Sequence, residues 1–493
     1  MVNEDDLPEQ LRIRREKYDR LTAAADGSLF PVGVPRTHSL GEVREQFPEL
    51  PAGTETGRQV GVTGRVIFVR NTGKLCFATL REDGVELQVM LSQDRVGAES
   101  LAAWKADVDL GDLVFVQGEV IASKRGELSV LAQSWQITAK SLRPLPVAHK
   151  PLSEETRVRQ RYVDLIVRPE AREMVRTRAD VLRAIRETLH DRRYVEVETP
   201  ILQVVHGGAA ARPFHTHLNA FDLDMSLRIA TELYLKRCIV GGVEKVFEIG
   251  RTFRNEGVDS SHSPEFTMLE AYEAYADYDS MAQLTRSLVT AAAERTGLRE
   301  PVTADGVPIA LFDQWRSVTI HDLVSGAVGD RVTVDTPVEQ LRTHADRLGV
   351  GLRDGWDAGE IVLELYEKLV EHTLIQPTFV RDYPVSVRPL ARPHRDDPRL
   401  AEAWDLIIGG FEVGVAYSEL ADPVEQRRRL VEQSLAAAKG DPEAMQLDED
   451  FLTALEYGMP PTGGMGLGVD RLIMLLTGRG IRETILFPLL KPL

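Results

Sequence analysis

Hydrophobic and polar positions alternate along five stretches between Val60 and Ala139: VGVTGRVIFVRN, GKLCFATLRE, VELQVMLS, LVFVQGEVIAS and GELSVLAQSWQI. This alternation predicts five strands joined by glycine-containing turns. A helical piece, Val96 to Lys105, falls between the third and the fourth. Five strands with a helix after the third predict an OB-fold, a small barrel. Upstream, residues 5 to 23 place Leu7, Leu11, Tyr18 and Leu21 near one helical face, with Arg12, Arg14, Arg15, Lys17 and Arg20 between them. The result is an amphipathic helix with a basic side, read either as a solvated face or as a contact for nucleic-acid phosphates. From about Gly27 to Gly57 the chain is rich in Pro, Gly and polar residues and has little periodicity, which predicts a connection wrapped on the surface.

The pattern changes after the Pro-punctuated RPLPVAHKPL, which reads as a hinge. A helix is predicted over Arg172 to His190, with Met174, Val175, Val181, Leu182, Ile185 and Leu189 on its apolar side, and then a strand, RRYVEVETPIL. Gly207 to Phe214 is a small-residue loop open to close approach of a ligand, and LRIATELYLKR opens a helix after a strand. Phe247 to Tyr272 predicts a long-looped antiparallel hairpin: Val246, Glu248 and Gly250 face one way, Phe247, Ile249 and Arg251 the other. Turn formers fill Asn255 to Pro264, and alternation resumes in Glu265 to Glu270. The hairpin presents Arg254 and Glu256 at the loop and Glu270 and Tyr272 on the returning strand. Phosphate calls for the cation, an ammonium group for the carboxylates.

Residues 279 to 375 show helical patterns, clearest in EIVLELYEKLVEHTL, and read as inserted packing helices. Alternation returns in DLIIGGFEVGVAYSELAD, with carboxylates at Asp405, Glu412 and Glu419. Asp405 and Glu412 fall on opposite faces of an ideal strand, so joint work requires a turn or bulge at Gly409-Gly410. GGMGLGVDRLIMLLTG reads as a Gly-rich turn before an apolar helix that carries Arg471, and the tail IRETILFPLL as a closing strand of the sheet.

Composition narrows this picture. A chain of 493 residues holds two or three domains, and 43% hydrophobic with 27% charged residues belongs to a globular protein. No apolar run is long enough for a transmembrane helix, and MVNEDDLPEQ lacks a basic-then-apolar signal, so a cytoplasmic location with no membrane partner is expected. Cys76 and Cys238 lack metal-ligand spacing and read as buried thiols. The net charge of -17 argues against a nucleic-acid partner only on average, because binding depends on a local patch.

FRNEG at Phe253 to Gly257, followed by HSPEFTMLEAY, resembles motif 2 of the class II aminoacyl-tRNA synthetases in its lysyl-tRNA synthetase form. Helix, strand and proline around 172–200 resemble motif 1, the dimer interface of that family, and GGMGLGVDRLIMLLTG resembles motif 3. The resemblance runs from about residue 10 to the end. It implies an α+β multidomain fold, an N-terminal OB-fold β-barrel followed by a class II catalytic domain with an antiparallel β-sheet flanked by helices. The expected divisions are 1–58 for the basic helix and connection, 59–143 for an anticodon-binding OB-fold, 144–160 for a linker, and 161–493 for the catalytic domain with a helical insertion at about 279–375.

The implied activity is ATP-dependent conversion of L-lysine to lysyl-adenylate and transfer of the lysyl group to tRNA(Lys) by a homodimer using Mg²⁺. Residue by residue, the resemblance assigns Gly208 and Glu232 to the α-amino end of lysine, and Glu270, Tyr272, Tyr417 and Glu419 to its side chain. Arg254, Glu256, His262, Phe266 and Arg471 go to ATP, with Arg254 and Arg471 as the catalytic cations. Asp405 and Glu412 go to Mg²⁺, and Arg70, Phe77, Gln88 and Glu127 to the anticodon. Four positions depart from the family pattern: Val415 stands where Asn is usual, Ser226 where Tyr is, Thr231 where Pro is, and Ser263 where Asn is frequent. Asp405 stands for the more usual Glu. Other readings are a divergent copy with altered amino-acid affinity or acceptor, a sister synthetase for aspartate or asparagine, and a non-catalytic tRNA- or partner-binding paralogue.

Overall fold

Period-two burial builds the predicted barrel. The computed structural model describes residues 8–24, 29–146, 151–259, 262–438 and 446–492, in two units, Met1–Arg172 and Glu173–Leu493. In the first unit β1 (Glu55–Thr72), β2 (Leu75–Glu82), β3 (Val85–Ser92), β4 (Leu113–Ala122) and β5 (Leu128–Ala139) close in the order β1-β2-β3-β5-β4. Cys76, Ala78 and Leu80 of β2 and Leu87, Val89 and Leu91 of β3 are buried in the core, while Phe77, Thr79, Gln88 and Met90 alternate with them. Leu101 and Trp104 of the helix Ala98–Asp107 complete that core.

Two expectations for this unit are corrected. The Gly27 to Gly57 stretch is not merely a surface wrap: a helix, Leu40–Gln46, started by a Ser39–Glu42 capping box, buries Leu40 and Val43 in the barrel core. Seven residues are too few for a helical period to show. The basic helix, Glu9–Ala24, buries Arg14, half-buries Lys17 and leaves Arg12, Arg15 and Arg20 exposed, and Leu7 lies outside the described residues. Arg14 donates to the carbonyls of Ser141 (2.7 Å) and Leu110 (2.9 Å), Lys17 pairs with Asp109 at 2.8 Å, and Arg20 pairs with Asp107. Of the five basic residues named, these three make contacts within the unit. Residues 147–150 of the hinge also lie outside the described residues.

The second unit carries an eight-stranded sheet. Its strands are β6 (Val195–Glu196), β10 (Lys245–Phe253), β11 (Glu265–Ala274), β12 (Arg316–Thr319), β13 (Thr378–Pro384), β14 (Leu400–Ile408), β15 (Phe411–Ser418) and β16 (Thr462–Gly468). Their order is β12-β13-β14-β15-β16-β11-β10-β6, antiparallel except at the outer pairs β12-β13 and β10-β6. A separate three-stranded sheet, β7 (Leu202–Gln203), β9 (Leu223–Leu227) and β8 (His215–Leu218), precedes the helix Glu232–Val240. Phe247, Leu269, Met465 and Leu467 face a core filled by the helices Tyr278–Thr296 and Val469–Thr477; Val246 and Tyr272 face the opposite side with the helix Glu232–Val240.

The 279–375 stretch is more than packing helices. Helix Tyr278–Thr296 belongs to the main core, β12 lies within the stretch, and the helices Ile320–Val328, Val338–Leu348 and Ala358–Leu369 share a second core with Val380 and Tyr383 of β13 and Ala401, Ala403 and Ile407 of β14. The tail adds no strand among the described residues: Ile481–Thr484 is a single helical turn. Of the cysteines, Cys76 is buried, Cys238 only half-buried, and both are free. No described helix is long and apolar enough to cross a membrane.

Candidate active site and the outer face of the barrel

Strand register sets residues distant in the chain side by side. One row across the sheet runs Asp405, Val415, Gly466, Glu270, Glu248, from β14 to β10; the next runs Ala403, Tyr417, Gly464, Tyr272, Val246. At the centre lies β16, TGGMGLG. The expected Gly-rich turn is a strand instead: Met465 and Leu467 point into the core, and Gly464, Gly466 and Gly468 line a cavity of about 430 Å³. A strand with no side chains on one face leaves room for a ligand. A Cβ at Gly464 would lie 2.1 Å from Glu419 Oε1 and 2.4 Å from Tyr272, whereas one at Gly466 would meet nothing nearer than Met268 at 3.4 Å.

Along β11, Phe266, Met268, Glu270 and Tyr272 face this cavity in succession. Six residues of strand span about 20 Å. At one end stand Arg254, Phe266 and Arg471; at the other stand Glu270, Tyr272 and Glu419, with Glu232 and Gly208 beside them. Glu256, His262 and Tyr417 also line the cavity, so every residue expected at the ATP and lysine sites faces one space. Ser260 and Ser261 of the hairpin loop lie outside the described residues. Arg254 stacks over the Phe266 ring, its guanidinium carbon 5.3 Å from the centroid, and Arg471 donates to Glu412 Oε1 at 3.2 Å and to the Glu412 carbonyl at 2.8 Å.

Three carboxylates crowd the far end. Glu270 accepts from the Thr231 N–H at 2.9 Å and from the Tyr272 hydroxyl at 3.1 Å. Burial, then Glu232, pushes its carboxyl up to about 7. Glu419 is pushed up to about 8, by burial first, although the Lys236 ammonium opposes the rise. That ammonium lies 2.5 Å from Glu419 Oε2, and Glu419 Oε1 has no hydrogen-bond partner among the described residues. Gly208, at φ 89°, passes directly over Glu232: a Cβ there would be 3.0 Å from the Glu232 Cβ.

The expected metal pair divides. Gly409 and Gly410, at φ 67° and 84°, make the β14-β15 turn, and a separate bulge at Val413 returns Glu412 to the side on which Asp405 lies. Glu412 faces the cavity, but Asp405 Oδ2 is bound by Arg388 at 2.6 Å, and Arg388, not Asp405, lines the wall. Hard oxygen donors suit Mg²⁺, yet the described residues hold no cluster of three acidic, His or Cys ligands. Arg388 thus engages one oxygen of Asp405, and of the expected pair only Glu412 lines the cavity.

Arg388, Lys236 and Glu371 were missed from sequence. Burial, then Glu412, pushes the Glu371 carboxyl up to about 7, and it lines the cavity from inside the supposed packing stretch. Behind the phosphate end, Asp470 accepts from Arg178 at 2.5 Å and from the Thr267 N–H at 2.7 Å, fixing β11 beside the Arg471 helix.

On the barrel, Arg70 lies opposite Phe77 across β1 and β2, its guanidinium carbon 4.8 Å from the ring centroid. Gln88 follows on β3 and donates to Ser129 Oγ at 2.7 Å; Glu127, exposed at the entry to β5, approaches Arg44 at 3.6 Å. These four share the outer face of neighbouring strands. Phe68, 53% exposed, stands next to them and was not expected there. Two-residue spacing from buried Val66 would turn it inward, but a register shift between the two flips it out.

Residues 153–491 match the family model described as tRNA synthetases class II (D, K and N), and residues 60–138 match that of an OB-fold nucleic acid binding domain. The chain belongs to the class II tRNA synthetases of that group. Its place within the group is marked by lysine–tRNA ligases. That of Kineococcus radiotolerans is 60% identical over 491 residues, covering 99% of this chain and 98% of the relative. Lysine–tRNA ligase 1 of Mycobacterium tuberculosis is 57% identical over 496 residues, with 99% and 98% covered. Part of the lysylphosphatidylglycerol biosynthesis bifunctional protein LysX of Nocardia farcinica is 53% identical over 491 residues, 98% of this chain and 43% of that protein.

Proposed function

We propose that the chain activates L-lysine with ATP and transfers the lysyl group to tRNA(Lys). One observation carries the reading: buried carboxylates Glu232, Glu270 and Glu419 stand at one end of a cavity whose other end carries the guanidinium groups of Arg254 and Arg471. The first set suits ammonium groups, the second a triphosphate. Near-full-length lysine–tRNA ligase relatives support it.

In this reading Gly208 and Glu232 take the α-amino group, and Glu270 and Glu419 the ε-ammonium between the Tyr272 and Tyr417 walls. Phe266 stacks on adenine, with Glu256 and His262 at its rim. The lysine carboxylate attacks the α-phosphorus in line; the bond to the bridging oxygen breaks, pyrophosphate leaves, and lysyl-adenylate stays. No protein nucleophile is required, because placement and charge neutralisation by Arg254 and Arg471 lower the barrier. A terminal ribose hydroxyl of tRNA then attacks the carbonyl and AMP leaves. Mg²⁺ arriving with ATP would be held by Asp405 and Glu412 and would neutralise triphosphate charge. On the barrel, Phe77 stacks on an anticodon base under Arg70, and Gln88 and Glu127 read base edges.

The same reading makes the chain a cytoplasmic homodimer with the divisions expected above. Exposed Val195, Ile201, Leu202 and Val204, 44 to 58% accessible, offer an apolar surface in the motif 1 segment. Solution mass should be twice 54.9 kDa. ATP–pyrophosphate exchange with each standard amino acid tests the function. Lysine alone should support exchange; support by aspartate or asparagine instead, or by none, overturns the reading.

A further inference from the structure

Lys236 has no part in the reaction as described, yet its charge is wholly enclosed. Its side chain is 0% exposed, with the ammonium 2.6 Å from Glu232 Oε1 and 2.5 Å from Glu419 Oε2. A lysine buried this deeply persists as a cation only if its charge is matched. Here it is matched twice, by two of the three carboxylates at the lysine end. Burial alone would lower its proton affinity; Glu232 and Glu419 outweigh that and hold it protonated.

Local structure makes the arrangement. Glu232 and Lys236 are four apart on the helix Glu232–Val240, which sets them on one face. Glu419 arrives just beyond β15, its position fixed by its N–H to the Thr462 carbonyl at 2.8 Å. Lys236 is not part of the cavity wall; it stands behind the carboxylates that are. The ionisable groups grouped with it from neighbouring elements are Glu232 on its own helix, Glu419 after β15, and Glu270 and Tyr272 of β11.

Three carboxylates, none more than 5% exposed, against one ammonium leave two negative charges at this end once lysine has displaced the protons they hold. Lysine brings two ammonium groups. From this count we infer that Lys236 is a positioning residue that sets the pocket charge to what a diammonium substrate cancels, and that it orients Glu232 and Glu419 toward the two ammonium groups. The inference rests on lysine as the amino acid. A substrate with one ammonium group leaves a buried carboxylate unpaired. Loss of Lys236 leaves three crowded carboxylates, one of which must keep a proton even with lysine bound, and a protonated carboxyl no longer distinguishes an ammonium from a hydroxyl.

The test compares the wild type with Lys236→Met, close in length but uncharged, and with Lys236→Arg. ATP–pyrophosphate exchange is followed with lysine and with 6-hydroxynorleucine, in which a hydroxyl replaces the ε-ammonium. Lys236→Met should raise KM for lysine about tenfold or more while KM for ATP stays within about twofold. It should also narrow the preference for lysine over the hydroxyl analogue and move the acidic limb of the lysine profile up by about one pH unit. Lys236→Arg should regain part of each. An unchanged KM split, preference and limb, whatever happens to thermal stability, means Lys236 only fills space, and the inference is lost. If Lys236→Met does not fold, calorimetry on the wild type decides: lysine binding should release protons between about pH 6.5 and 8, and proton uptake or no exchange of protons overturns the inference. A wild type inactive with lysine sinks the proposed function and this inference together; an active one with indifferent variants sinks the inference alone.

Discussion

Glu270 and Glu419 show what burial does to single side chains. Their carboxyls, pushed up to about 7 and about 8, still carry a share of their protons at neutral pH, larger for Glu419 than for Glu270, and lysine requires them ionised. KM for lysine should therefore fall as pH rises from about 6 to about 8.5, a trend read directly from exchange kinetics; a flat profile would show that the two groups do not meet the ammonium. Asp405 gives a second case. Burial raises it to about 6 and Arg388 restrains the rise, so Arg388→Ser should lift it further, weaken use of Mg²⁺-ATP near pH 7, and lose less activity above pH 8. A deficit independent of pH would point to lost packing against Tyr383, which Arg388 overlies at 4.1 Å. Neither Arg388 nor Lys236 was legible beforehand, because each takes its meaning from a partner 17 or more positions away, Asp405 or Glu419.

Elements place these groups, and β16 does so by lacking side chains. Gly464→Ala would drive a methyl into Glu419 and Tyr272, while Gly466→Ala meets contacts of 3.4 Å and beyond. The first should raise KM for lysine about tenfold or more, about 1.4 kcal/mol or above, and the second several times less; equal effects would mean that the cavity floor is not set by this strand. The start of the helix Glu232–Val240 is similarly exacting. Thr231 donates its N–H to Glu270, a bond that the Pro usual in similar sequences lacks. Its φ of -103° also lies outside the range of proline. Thr231→Pro should destabilise the fold and raise the Glu270 carboxyl above about 7, seen as a higher KM for lysine at neutral pH. Strand alternation made the hairpin and the barrel readable. It misled at β16, where glycine signals a turn unless its inward face is known to be a ligand site, and it carries no sign of the bulge that turns Phe68 outward.

At the scale of the whole molecule, the raised carboxylates couple folding to lysine. The folded chain keeps protons on Glu270 and Glu419 to about 7 and 8, whereas their ordinary value is 4.5, so the folded state binds more protons than the unfolded one through that window. Stability from these groups is present below about pH 4.5 and declines as pH rises toward 8. Lysine replaces the protons with ammonium groups, so saturating lysine should raise Tm more at pH 8 than at pH 6; an equal rise would contradict the coupling. The order of segments, the five-stranded barrel and the long hairpin were determined by the sequence itself, since alternation, turn residues and motif spacing act over short stretches of chain, and the residues that the resemblance named for ATP and lysine all line the cavity. Tertiary structure alone decided which carboxylates line the cavity and which protein cation stands against each. That outcome depends on strand register and a shared low-dielectric enclosure, which bring together charges separated by more than a hundred residues, and no local pattern encodes such a meeting.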